Sequence, residues 1–104
     1  MASKRSSYEA GLASLGMLFR LLSDPTRLRI VLLLKDGERT VTEICNQIKL
    51  PQPTISHHLS LLRMNRVIAH QRQGKQVIYS LDDSVKLVRK TLQLSVPPFT
   101  VTLT

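Results

Sequence analysis

The sequence predicts a mainly α fold with one small β-hairpin, and three observations predict it. Apolar residues recur at helical spacing through the first 66 residues, in segments divided by helix-start and helix-stop signals. The period then changes to alternation on either side of Gly74, between Val67 and Leu81. Charge is segregated as well. No Asp or Glu occurs from Ile44 to Leu81, yet that stretch holds Lys49, Arg63, Arg66, Arg72 and Lys75.

The first helix is expected from about Tyr8, where Leu12, Leu15, Phe19 and Leu22 form one apolar stripe. Asp24-Pro25 starts a second helix, with Asp as N-cap and Pro in the first turn. It runs to Asp36 and is apolar on nearly every side, which places it in the middle of a core; Gly37 ends it. Thr40-Val41-Thr42-Glu43 is a capping box that opens a short third helix carrying Ile44, Cys45 and Ile48. Lys49-Leu50-Pro51 breaks it, and a fourth helix, residues 52–66, follows with Ile55, Leu59 and Leu62 as its buried stripe. Two helices joined by so short a turn have the spacing of a helix-turn-helix.

Val67–Arg72 and Gln76–Leu81 read as the strands of a hairpin, residues 67–81, with a basic tip of Arg72, Gln73, Gly74 and Lys75. Asp82 or Asp83 is expected to cap a fifth helix with Val85, Val88 and Leu92 on one side. Residues 1–95 are thus expected to form one domain, a winged helix-turn-helix, to which the arguments below assign DNA binding and dimerisation. Residues 96–104 form a C-terminal tail whose alternating Phe, Val and Leu suit either a strand or a loose end.

Composition bounds the function. A chain of 104 residues suits one small domain, and its 42% hydrophobic content supports a core. So short a chain leaves apolar surface uncovered, which pairing with a second copy would bury. The net charge of +8 favours a polyanionic partner. The single cysteine, Cys45, excludes a disulfide within the chain and fits a reducing compartment. The longest apolar run, Ile30–Leu34, is far short of the ~20 residues a spanning helix needs, so a cytoplasmic location without membrane contact is expected. Cys45, His57, His58 and His70 are the side chains of catalytic type, but no glycine loop or carboxylate pair accompanies them, and no enzyme is expected.

The fourth helix carries the argument for DNA. Its polar face presents Gln52, Thr54, Ser56, His57 and Ser60 where a merely soluble helix shows Lys and Glu. The major groove admits one α-helix and rewards side chains that donate and accept at base edges, while a Glu surface cannot face phosphate. These five residues are the candidates for DNA contact, with Pro53 fixing the first turn and Arg63 reaching phosphate about one turn on. The partial positive charge and free N–H groups of the helix N-terminus suit a phosphate too. Arg72 and Lys75 at the hairpin tip would lie beside the flanking groove. His58 falls next to the buried stripe and reads as a packed or hydrogen-bonded histidine. A second reading is a winged-helix module that binds another protein; the acid-free stretch argues against it.

Three segments, LSDPTRLRIVLLL, TVTEICNQIKLPQPTISHHLSLLR and RQGKQVIYSL, together resemble the ArsR/SmtB winged-helix repressors. The similarity covers about Leu18 to Leu92. It implies a homodimer built on the first and last helices, repression at an operator of twofold symmetry, and release by an inducer that the sequence does not identify. Leu12, Leu15, Phe19, Val85, Val88 and Leu92 are then the dimerisation candidates, although the same stripes would suit an intramolecular core. Many members hold metal through paired cysteines at the start of the third helix, where this chain has Thr40-Val41-Thr42. A second family site on the last helix is matched only by Asp83; Val85, Val96 and Phe99 stand at the other ligand positions. Neither set offers several converging ligands, so no metal site and no cofactor is expected. Two further departures concern the turn. Pro51 replaces the usual Ser cap, and Lys49 occupies a position where Gly is common, at a cost of about 1 kcal/mol if its φ is positive.

Overall fold

The computed structural model describes residues 2–104. Four helices, α1 (Ala2–Leu22), α2 (Pro25–Lys35), α3 (Val41–Ile48) and α4 (Gln52–Met64), are accompanied by six strands. Strands β1 (Arg39–Thr40), β2 (Ile68–Gln73) and β3 (Gln76–Leu81) form an antiparallel wing in the order β1-β3-β2. Strands β4 (Val85–Val88), β5 (Thr91–Val96) and β6 (Phe99–Leu103) form a second antiparallel sheet in chain order. None of the described helices is long and apolar enough to cross a membrane.

Local chemistry sets the helix starts. Asp24 accepts at Oδ1 from the N–H groups of Thr26 (2.8 Å) and Arg27 (3.2 Å), and Pro25 opens α2. The capping box is complete: Glu43 N–H donates to Thr40 Oγ1 (3.1 Å), and Thr40 N–H donates to Glu43 Oε1 (2.9 Å). In α2, Ile30, Val31 and Leu34 are buried, while Leu32 is 42% exposed, so the helix has an outer face after all. One apolar cluster joins α1 (Leu18, Leu21, Leu22), α2, α3 (Ile44, Ile48), α4 (Ile55, Leu59, Leu62), the base of the wing (Val67, Ile68) and β5 (Leu92, Leu94).

The wing follows the expected hairpin and gains β1 as a third strand. Gln73 faces Gln76 across a two-residue turn whose first member, Gly74, has φ +62°. A glycine there, with only the first residue left-handed, is the signature of a type II′ turn. Strand β1 is too short for a periodic signal. It pairs Arg39 with Tyr79 and Thr40 with Ile78 just before α3 begins.

The fifth helix does not form: residues 82–104 make the meander β4-β5-β6 instead. Leu92, Leu94 and Val96 are spaced by two, which points all three to one side of a strand and would scatter them around a helix. Leu92 and Leu94 are fully or almost fully buried, at 0% and 4% exposure. Arg89 (φ +49°) and Lys90 (φ +66°) make the β4–β5 turn, both in the left-handed region that a type I′ turn needs and that Asn-Gly usually supplies. The stretch 96–104 is likewise not a tail. Val96 ends β5, and Phe99, Val101 and Leu103 of β6 face Val96, Leu94 and Leu92 across the ladder. Helix α1 docks here. The ring of Tyr8 lies 5.8 Å from that of Phe99, and Gly11 is buried against the Pro97-Pro98 turn.

A Cβ at Gly11 would come within 2.5 Å of the Pro97 carbonyl oxygen and 2.6 Å of Pro98 Cδ, whereas one at Gly16 meets nothing within 4 Å. Gly11→Ala is expected to lower stability by about 1–3 kcal/mol, and Gly16→Ala to raise it by ~0.5–1 kcal/mol, in urea denaturation. Three carboxylates sit below their ordinary range: Asp24 through the Arg27 backbone N–H, Glu43 through the Thr40 backbone N–H, and Asp82 through the Ser84 backbone N–H. Depressed carboxylates stabilise the fold fully above their unfolded pKa, and that contribution is lost as pH falls through the lower folded value. The urea midpoint should therefore hold near neutrality and decline below about pH 5. The decline should be smaller in Asp24→Asn, which keeps a capping oxygen without the titration.

Candidate nucleic-acid interface

Helix α4 is held by its apolar stripe. Ile55, Leu59 and Leu62 have at most 1% exposure. Truncating such a side chain to Ala commonly costs about 2–5 kcal/mol, so the rotation of α4 about its axis is strongly specified. That rotation turns Gln52, Pro53, Thr54, His57, Ser60 and Arg63 to solvent and leaves Ser56 half-buried. Arg72 and Lys75 are exposed at the wing tip. The structure thus sets the candidates of the fourth helix on its outer surface and the two basic candidates on the wing.

A polar link between helices supports this placement. Arg27 of α2 donates from Nε to the Leu21 carbonyl (2.6 Å), and its Nη1 lies 3.3 Å from His58 Nδ1. His58 is half-buried, as its place beside the stripe implied. Asp24, Arg27 and His58 together tie the α1–α2 corner to the middle of α4. The charges of His58 and Arg27 add to the backbone N–H groups that lower the Asp24 pKa.

The turn before α4 carries both expected departures. Lys49 has φ +62° and ψ +44°, left-handed, and its N–H donates to the Cys45 carbonyl at 2.7 Å. Pro51 is the N-cap of α4 and makes no side-chain cap hydrogen bond, with Pro53 in the first turn. The first-turn N–H groups therefore have no side-chain acceptor at the cap position. Cys45 is half-buried. Among the described residues no three His, Cys, Asp or Glu side chains come together as a metal-binding group.

One basic residue escaped the sequence reading. Arg39 shares a row of the wing with Tyr79 and His70, on the sheet face that also carries Arg72. Only the two-residue strand β1 puts it there, and no periodicity announces so short a strand. The dimerisation candidates divide. Leu12 (39% exposed) and Phe19 (54%) leave an apolar stripe of α1 open, and Val88 is 50% exposed. Leu15 and Val85 are half-buried. Leu92 lies wholly within the chain's own core, so it is not available to a partner; the strand that replaces the helix turns it inward.

A wing of three strands beside a helix-turn-helix whose second helix carries no acid defines a winged helix-turn-helix protein. Residues 24–69 match the model of the bacterial regulatory protein, arsR family. The transcriptional repressor SdpR of Bacillus subtilis is 41% identical over 68 residues, 65% of this chain and 76% of that protein. Reduced HlyU from Vibrio cholerae superposes with a TM-score of 0.70 at 27% identity, over 74% of this chain and 81% of that one. The winged helix-turn-helix DNA-binding domain of Mb0332 from Mycobacterium bovis, described as homodimeric and as a possible ArsR-family transcriptional regulator, gives a TM-score of 0.64 at 25% identity, over 78% of this chain and 72% of that one. This chain belongs to the ArsR/SmtB family of transcriptional regulators.

Glycine at position 49 would relieve the left-handed strain and add some unfolded-chain entropy. Lys49→Gly should raise stability by ~0.5–1 kcal/mol, read as a higher urea midpoint at unchanged slope. A lower midpoint would show that the lysine side chain contributes more than its backbone costs.

Proposed function

We propose that the chain is a sequence-specific repressor that binds double-stranded DNA as a homodimer, with α4 in the major groove and the wing on the flanking backbone. The observation that carries the reading is the outer face of α4. It holds hydrogen-bonding side chains, no carboxylate, and Arg63 one turn beyond them. Gln52, Thr54, Ser56, His57 and Ser60 serve base edges or nearby backbone, and Pro53 holds the first turn. Arg63, Arg72 and Lys75 serve phosphate. The family consists of regulators and not of enzymes, and the chain's work is binding.

The exposed stripe of α1 supports the dimer, and the homodimeric description of Mb0332 agrees with it. Leu12, Leu15 and Phe19 form the seam, with Val85 and Val88 alongside. Two copies would then set their α4 helices in successive major grooves, ~34 Å apart. A protein of this kind works where the chromosome is, which in a bacterium is the cytoplasm.

Selection of genomic fragments by the purified protein at ~150 mM salt, where exposed electrostatics are already damped, tests the reading. It should recover a discrete inverted repeat. Recovery of random fragments alone would favour a protein-binding module.

On the recovered site, Arg72→Ala and Lys75→Ala should weaken binding to specific and random DNA alike and flatten the salt dependence. Gln52→Ala should change base preference at one position of each half-site, with about 1–3 kcal/mol of discrimination lost. Equal losses on specific and random DNA would remove Gln52 from the reading set.

A further inference from the structure

We propose that the groove between α1 and the C-terminal end of α4 binds a small anionic amphiphile, a carboxylate on a short aliphatic chain. Three adjoining concavities of about 350, 220 and 210 Å³ meet at Asn65, the residue that ends α4. The larger two of the three share Met17, and the 350 and 210 Å³ concavities share Leu18 and Val96. These side chains give the groove an apolar wall, and Met17 is 57% exposed on it. Arg20 and Arg27 stand at one end and Arg66 at the other, and no Asp or Glu lines any of the three. Small-molecule sites commonly combine an apolar lining with a few placed polar groups.

The charges are not equally committed. Arg27 is engaged with the Leu21 carbonyl and His58. Among the described residues Arg66 has the nearby charge of Asp82, and that carboxylate is itself occupied by the Ser84 N–H and hydroxyl. Three of the last four carbonyls of α4, which would repel an anion, are covered. Asn65 Nδ2 donates to the Leu61 carbonyl (2.8 Å), Val67 N–H to that of Leu62 (3.0 Å), and Arg66 N–H to that of Arg63 (3.0 Å). The apolar wall argues for an aliphatic body behind the anion and against a bare phosphate.

The α1 wall of the groove lies away from the α1 seam, and Val85, beside that seam, borders only the 210 Å³ concavity. At 100° per residue, Ser14, Met17 and Leu21 lie roughly 160° around α1 from the stripe of Tyr8, Leu12, Leu15 and Phe19. A ligand there touches α1 on one wall and the junction of α4 with the wing on the other. Its effect on operator affinity rests on the DNA-binding reading; its binding does not. A ligand shifts such an equilibrium only as far as it prefers one arrangement of those elements.

The test uses the free protein, so it is independent of DNA. The chain has three methionines, Met1, Met17 and Met64. With methyl-¹³C-methionine labelling, and the Met17 signal assigned by Met17→Leu, octanoate below its micelle concentration should move the Met17 methyl saturably. Octylamine and inorganic phosphate should not. Arg66→Asn, which tolerates the left-handed backbone at this position (φ +58°), should weaken octanoate binding about ten-fold, the loss expected for one hydrogen bond to a charged group. An unmoved Met17 methyl would overturn the proposal. So would unsaturable movement of all three methyls together, or an equal response to octylamine or phosphate.

Discussion

Burial of Ile55, Leu59 and Leu62 is the constraint on which the rest of the molecule depends. These side chains meet α2, α3 and the base of the wing in a single cluster. A helix anchored along one stripe has no freedom to rotate, so the same contacts that stabilise the fold also choose which side chains face outward. The outward face of α4 is a by-product of the core. The tie from Arg27 to His58 acts in the same sense, because it joins the entry of α2 to the middle of α4.

The two sheets solve different problems with the same ladder chemistry. Strand β2 is exposed beyond its base while β1 and most of β3 are half-buried, and the wing's tip is a two-residue turn with glycine where the backbone needs it. Its short turn holds Arg72 and Lys75 on a stiff projection. The second sheet has an inner face of Leu92, Leu94 and Val96 and an outer face of Lys86, Gln93 and Thr102. It stands where the resemblance implied a helix, and it covers the flank of α1 with a flatter surface.

Most of the fold was legible because several local signals agreed: the Asp24 cap, the Thr40–Glu43 box, and the change of period at Val67. The outward face of α4 was legible for the same reason, since the stripe of apolar residues defines its opposite. The C-terminal third misled because Val85, Val88 and Leu92 happen to fit a helical spacing, while the competing signal of Leu92, Leu94 and Val96 is shorter. Its turn also lacks the usual residues, Arg89-Lys90 standing where Asn-Gly would have announced a hairpin. Arg39 was invisible for want of length: a strand of two residues has no period. The pairing that places it lies forty residues away in Tyr79.

The junction of Gly11 with the Pro97-Pro98 turn bears on how the molecule comes apart. The first and last segments of the chain meet there, and Leu92 and Leu94 sit in the same cluster as the stripe of α4. Residues 92–104 are part of the folded body and not an appendage to it. Shortening the chain after Thr91, as one trims a loose end to ease handling, would take two core leucines, bare a flank of α1, and loosen the helix that faces outward some thirty residues earlier. Loss of the end and loss of the outward face of α4 would be a single event.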